Sequence, residues 1–440
     1  MYAAFQDNLQ VTDDSFNLNL TKYSTSLPVP YACPVAESCL GSLDSTCSQG
    51  YEGPLCGVCA QGYFKLLTKC QKCPSPAWIA VQFVIVFALV FLVTFLTLRD
   101  RKKEEHAQRS VADILLARFK IVISFYQVTS GTLNAFSYVK WPEAVITVGN
   151  YAGMLQLNLF QIVPIHCLNS SMKVDSYTAL LMLVALSVAS VAIPVAYHQG
   201  KKFLLYRSSK VSVSKQRRVT DLTKERCYRT AFLLLFITYP ATCSHIFTML
   251  PQACQEICGE DRNRGCEAFL KADPSVKCHD DKYDRFVGFS YLLAVYPAAF
   301  PLVTLVILWK CLSKSRKSNS EKELSPLARG LRFFYENYSD KCWFWEIVEL
   351  VRKVLLTSAL LLTDAQSRTY IGSAAIISGL YTVLFACYKP ITDSSEHWLQ
   401  LISLMASSVN FMVGMLLKVW PQDITIPVIF VYDFVVQTTE

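Results

Sequence analysis

The side chains best suited to chemistry in this chain are its cysteines. Cys56-Gly-Val-Cys59 and Cys70-Gln-Lys-Cys73 repeat a two-residue gap, a spacing at which four thiolates can close on a tetrahedral zinc ion. The same spacing serves a disulfide framework in an oxidising compartment, where free thiolates do not persist. The adjoining Cys47-Ser-Gln-Gly-Tyr-Glu-Gly-Pro-Leu-Cys56 reads as a tight, glycine-turned, EGF-like loop, which favours disulfides over zinc. Of the 17 cysteines, Cys33, Cys39, Cys47, Cys56, Cys59, Cys70 and Cys73 lie near the N-terminus, and Cys254, Cys258, Cys266 and Cys278 share one later loop. Cys167 makes this set even, as disulfide pairing requires, and the odd number in the N-terminal group suggests that one of its members pairs with Cys167. Spacing leaves the rest of the connectivity open.

The remaining reactive residue types form no enzymatic constellation. There is no glycine-rich phosphate loop, no HExxH and no serine or cysteine nucleophile motif, and His106, His166, His198, His245, His279 and His397 are scattered. Neither an enzyme nor a bound cofactor is expected. Polar groups instead recur inside apolar stretches, where they are functional candidates by default. Gln127, Thr129, Ser130 and Asn134 return every three to four residues and cover one face of a helix, fit either to line a water path or to join helices. Arg118 and Lys120 stand near the start of that helix and are expected to snorkel to the surface. His245 is the titratable group deep in a later helix. Glu346, Glu349, Arg352 and Lys353 sit at i, i+3 and i+4 spacing and can pair along a helix surface; Trp343 and Trp345 beside them mark an interfacial anchor. Pro240, Pro297 and Pro301 each remove the donor for a carbonyl four residues back. They predict breaks in two neighbouring helices, with the carbonyls of Phe236, Leu293 and Pro297 freed for hinge motion or for coordinating a cation.

The elements that must position these groups are membrane helices. Mean hydropathy is +0.30 and 52% of residues are hydrophobic. Stretches of ~20 apolar residues can cross a bilayer, and the candidates are Ala77–Leu98, Leu115–Tyr138, Tyr177–Tyr197, Thr230–Leu250, Phe286–Trp309, Trp345–Leu362, Tyr370–Tyr388 and Trp398–Leu417. The expected fold is an all-α polytopic membrane protein of about eight transmembrane helices with a small disulfide-rich extracellular module. Residues 1–32 read as the end of an ectodomain or a linker, 33–76 as a cysteine-rich EGF-like stalk, 77–417 as the helix bundle, and 418–440 as an outer or truncated C-terminal segment. Within that last segment, 424–436 is either interfacial or the opening of a truncated ninth helix. The stretch 143–165 carries Asn150, Gln156, Asn158 and Gln161 and is read as lying on, or dipping into, the outer face.

Charge sets the orientation. The loops 99–114, 198–229, 310–344 and 389–397 hold more than half of the 42 Lys and Arg, so they are placed in the cytoplasm and the N-terminus outside the cell or in a lumen. The net charge of +8 follows this loop pattern and gives no sign of a nucleic-acid partner. Sequons at Asn19 and Asn169 then fall on the outer side, as glycosylation requires, and one at Asn337 falls inside.

A family resemblance rests on Thr238-Tyr-Pro-Ala, Ala272-Asp-Pro-Ser-Val-Lys-Cys278, Val295-Tyr-Pro-Ala-Ala-Phe-Pro301, Phe333-Phe-Tyr-Glu-Asn-Tyr338 and Phe344-Trp-Glu-Ile-Val-Glu-Leu-Val-Arg-Lys353. Residues 40–417 resemble multi-pass proteins with a fungal-type, transient-receptor-potential-like channel domain behind an EGF- or ephrin-receptor-like stalk. Pro297-Ala-Ala-Phe-Pro301 departs from the Pro-x-Gly-x-Pro form of that family, which implies a stiffer hinge. The resemblance implies an ion channel or transporter of the plasma membrane or a secretory membrane, moving a small cation such as calcium, with Gln127, Asn134, Pro240, His245, Pro297 and Pro301 as pore or gating candidates. The alternative is a multi-pass cell-surface receptor whose stalk binds an extracellular ligand. Either is compatible with an oligomer.

Overall fold

The structure, a computed structural model, describes residues 33, 35–40, 46–66, 69–81, 84, 88, 111–135, 145, 167, 175–207, 212–258, 266–318, 325–358 and 368–419. Asn19, Asn169, the segment 424–436 and nearly all of 143–165 lie outside the described residues, as does most of the first expected span beyond residue 81. The long helices are α1 (Val111–Ala135), α2 (Ser176–Arg207), α3 (Val213–Thr248), α4 (Asp281–Leu293), α5 (Tyr296–Ser318), α6 (Trp345–Thr357), α7 (Arg368–Tyr388) and α8 (Ser394–Val419). The chain divides into two compact units, residues 1–81, 159–179 and 245–293, and residues 82–158, 180–244 and 294–440.

The first unit is built on disulfides. Its stalk has two antiparallel pairs, β1 (Tyr51–Glu52) with β2 (Val58–Cys59) and β3 (Tyr63–Leu66) with β4 (Lys69–Lys72). Gly50 enters β1 at φ +92°, and a Cβ there would stand 2.7 Å from the Tyr63 ring, so the turn requires glycine twice over. The bridges are Cys33–Cys39, Cys47–Cys56, Cys59–Cys70, Cys73–Cys167 and Cys254–Cys278. All four cysteines of the two CxxC pairs are therefore oxidised, which leaves no thiolate quartet for zinc. Cys73 is the stalk member that reaches Cys167.

The loop expected at 251–285 is folded. The strands β5 (Cys254–Cys258), β6 (Cys266–Leu270) and β7 (Asp273–Lys277) form an antiparallel sheet in that order, an element absent from the all-α expectation. Ala268 and Leu270 are buried on one of its faces, Ile257 and Phe269 on the other. Cys258 stands opposite Cys266 in the ladder, and Cys266 is disulfide-bonded. Leu55 of the stalk packs against Ile257 and Phe269, and Lys65 Nζ donates to the Ala272 carbonyl at 3.3 Å. Asp273 Oδ2 accepts from the backbone N–H and hydroxyl of Ser176 at 2.9 and 3.0 Å, tying the sheet to the start of α2. Asp175 caps that helix through Thr178. Partial burial acts against ionisation of Asp175, but the Thr178 hydrogen bonds and the Lys282 ammonium outweigh it and hold the carboxyl below its ordinary range.

Five stretches among the described residues are long and apolar enough to cross a membrane: α2, α3, the run Asp281–Ser313 that α4 and α5 share, Ile371–Tyr388 and Ser394–Leu417. Five candidate spans thus stand among the described residues where eight crossings were expected. The predicted Leu115–Tyr138 span is described as the helix α1 as far as Ala135, and α1 is not among those five. Helix α6 is described for 13 residues rather than the expected full span. The basic segment expected as the loop 198–229 is largely helical instead. At ~1.5 Å per residue, α2 and α3 run well beyond a ~30 Å hydrocarbon layer and carry Lys201 to Arg229 on their extensions.

The prolines also behave differently from expectation. Helix α3 runs on through Pro240 and α5 through Pro301. The interruption falls at residues 294–295, and Pro297 sits in the first turn of α5, where a missing N–H costs nothing. Pro301 does leave the Pro297 carbonyl without its helical donor. That carbonyl is taken by the hydroxyl of the buried Tyr239 at 2.6 Å.

Helices α1, α6, α7 and α8 pack on one another around Val128, Leu133, Leu356, Ile371, Ala374 and Phe411. Gly131 lets α1 approach α6 closely: a Cβ there would lie 2.6 Å from Thr357 Cγ2. Further hydroxyls join α7 to α8, with Ser378 2.9 Å and Thr382 3.1 Å from Ser408.

Candidate functional site

The helical period places Glu346, Glu349, Arg352 and Lys353 on one face of α6. That face is turned inward. Their exposures are 1%, 4%, 4% and 2%, so the interfacial anchor expected from the flanking tryptophans is corrected to a buried cluster. The reason is the partner helix. Lys120, Ser124 and Gln127 recur at the same period on α1, and the two polar faces meet.

Lys120, expected to snorkel, is ion-paired with Glu346, whose other contact is the Tyr338 hydroxyl at 2.8 Å. Arg118, two residues earlier and so turned to another side of the helix, is exposed. Glu349 accepts from Arg352 Nε at 3.0 Å and from the Ser124 hydroxyl at 3.2 Å. The Arg352 guanidinium also lies 5.0 Å from the Tyr381 ring centroid, and Lys353 Nζ lies 5.0 Å from that of Phe236. Among the described residues, Lys353 has no ion pair within 4.0 Å. From α8, Glu396 adds an acid that is 1% exposed. Lys120, Arg352 and Lys353 thus balance Glu346, Glu349 and Glu396, a neutral set that limits the desolvation cost of burying six ionisable groups.

These side chains enclose a cavity with about 20 Å³ of space open to the centre of a water molecule, walled by Lys120, Ser124, Asn337, Tyr338, Glu346, Glu349, Lys353, Glu396 and Gln400. That is room for about one water. Among the described residues, no three His, Cys, Asp or Glu side chains are grouped to hold a metal ion.

The pore candidates fare unevenly. Gln127 is buried on the α1 face that bears Lys120 and Ser124, and it donates to the Ile237 carbonyl at 3.4 Å. Asn134 follows on α1, with its side chain outside the described residues. Pro240 and Pro301 sit inside continuous helices, and the Pro297 carbonyl is engaged by Tyr239 rather than open to a cation. His245 belongs to the first unit. Sequence reasoning missed Glu396, Gln400 and Tyr338. A signal existed: Glu396 and Gln400 are four apart and share one face of α8.

Residues 31–73 match a domain of unknown function, DUF7630. The match covers the disulfide-stapled stalk. Neither an EGF nor a transient-receptor-potential-like family matches. The chain is 22% identical over 429 residues to Cysteine repeat modular protein A of Toxoplasma gondii, covering 82% of this chain and 13% of that relative. The chain therefore spans only a small part of the length of the curated relative it matches. No solved structure matches it.

Proposed function

We propose that this chain moves a small cation across a membrane, as a channel or transporter of the transient-receptor-potential-like kind. The observation that supports this most is the buried charge network around a water-sized cavity between α1, α6 and α8. Well-packed apolar side chains would hold those helices together at least as firmly. A polar core retained inside an apolar bundle points to a task that needs polarity.

The cysteines support the sidedness that goes with this reading. Cys227, Cys243, Cys311, Cys342 and Cys387 are free, and each falls where the charge pattern expects membrane or cytoplasm. The bridged cysteines fall where it expects the exterior or a lumen. Under this reading the N-terminal stalk and any glycans at Asn19 and Asn169 are extracellular or lumenal. The relative's name speaks of cysteine repeats and modules, and here one such module is joined to a helical membrane part.

Purified protein in liposomes is expected to pass sodium, potassium, calcium or protons faster than protein-free liposomes. Fluxes equal to the protein-free level across pH, membrane tension and redox conditions would overturn the proposal. The second reading, a receptor, is favoured by the docking of Leu55 on Ile257 and Phe269, because a ligand on the stalk would bear on the sheet tied to α2. An epitope after residue 440 that is accessible only from the cytoplasm would favour that reading.

A further inference from the structure

In the cluster around α6, two of the three bases are committed. Lys120 is held by Glu346 and Arg352 by Glu349, while Lys353 stands in the cavity wall, 2% exposed, with an aromatic ring 5.0 Å away and no ion pair among the described residues. We propose that this cavity is a proton-binding site with Lys353 as its exchanging group, and that the proton is the cation this protein moves. The inference deepens the transport reading above and rests on it.

Three features favour a proton over a metal cation. The cavity has room for about one water, whereas calcium takes ~6–8 oxygen ligands. Two ammonium groups, Lys120 and Lys353, face the space and repel a metal cation. The carboxylates best placed to ligate one, Glu346 and Glu349, already accept from Lys120 and Tyr338 and from Arg352 and Ser124.

The same surroundings suit a proton. An ammonium can release a proton, whereas a guanidinium in a protein stays charged, so Lys353 rather than Arg352 is the group that can exchange. Facing it are Lys120 and Ser124 from α1, Glu346, Glu349 and Arg352 from α6, Glu396 and Gln400 from α8, Tyr338 and Asn337 from the preceding segment, and Phe236 from α3. In the exchange, the Lys353 ammonium gives one proton to water in the cavity and becomes a neutral amine. It then takes one proton from the opposite side, so no other bond changes. The hydroxyls of Thr129 and Ser130 lie further along α1, buried and without a hydrogen-bond partner among the described residues.

The test uses the full chain in liposomes with the membrane potential clamped. An internal pH dye reads protons, and separate indicators read sodium, potassium and calcium. The expected result is proton flux above the protein-free level with metal fluxes at that level. Lys353→Met and Lys353→Arg should each abolish the proton flux. Glu396→Gln, close to isosteric, is a second variant should neither lysine variant fold; it should lower the flux, with folding checked by monodispersity and an intact Cys73–Cys167 bridge. Metal flux without proton flux overturns the proton assignment and spares the transport reading. Proton flux unchanged in every folded variant overturns the assignment to this cavity. No flux of any ion overturns both, and the wild-type comparison alone decides the ion.

Discussion

Glu349 and Arg352 form an ion pair in which both side chains are almost wholly buried, 5% and 4% exposed. Breaking such a pair from one side leaves a buried charge unpaired, so Glu349→Gln should destabilise the protein by about 3–5 kcal/mol. Adding Arg352→Met removes the stranded guanidinium and should return most of that loss. Thermal unfolding in detergent of the two single variants and the double variant checks this; strictly additive losses would show that the pair is not coupled. At this scale the sequence was half legible. The spacing 346, 349, 352, 353 correctly told which residues share a face, because that follows from the helical period alone. What the face meets does not follow from the period. The residue that meets Glu346 is Lys120, 226 positions away, and without that contact both ends read as surface groups.

Helices were the most legible elements, since ~20 apolar residues in a row leave little choice of structure. Their ends and joints were less so. The stretch from Lys201 to Arg229 read as a loop because it is charged, yet Lys, Arg, Gln and Leu are good helix formers and two membrane helices already feed it. The β5–β7 sheet was missed because its strands are 5 residues each and its buried positions are few. The prolines were read correctly as orphaning carbonyls and, beside Tyr296-Pro297, as a break between α4 and α5, but incorrectly as breaks at Pro240 and Pro301. Tyr239→Phe should leave the Pro297 carbonyl unsatisfied and cost about 1–3 kcal/mol. A wild-type unfolding midpoint in that variant would show that the hydroxyl does not hold α3 to α5. A second element-level expectation concerns Gly131. With Thr357 Cγ2 only 2.6 Å from where a Cβ would stand, Gly131→Val should force α1 and α6 apart at a cost of about 1–3 kcal/mol. Gly131→Val as stable as wild type would mean that the two helices separate freely.

The molecule joins two solutions to the problem of burying enough apolar surface. The bilayer solves it for the helices, whose exposed faces carry residues such as Val191, Ile193, Val303 and Ile376. The stalk has no such solvent and is too short for a core of its own, so covalent staples take over. The staples should differ in worth according to the chain they close. Cys33–Cys39 spans 6 positions and Cys73–Cys167 spans 94. On loop-closure entropy the longer bridge stabilises more, by about 2.4 kcal/mol. Residues between Cys73 and Cys167 include α1, and a helix packed against α6 and α8 is already restrained, so that figure is an upper bound. Serine at both Cys73 and Cys167 should therefore loosen the disulfide-stapled module more than serine at both Cys33 and Cys39. Hydrogen exchange of β1 to β7 in nanodiscs would register this as a larger rise in rate for the first pair. The Leu55 contact with Ile257 and Phe269 sharpens the expectation, because it is the noncovalent seat against which the long bridge holds the stalk. If exchange in β5 to β7 is unmoved by loss of the long bridge, that apolar seat suffices and the bridge is no part of how the stalk is held.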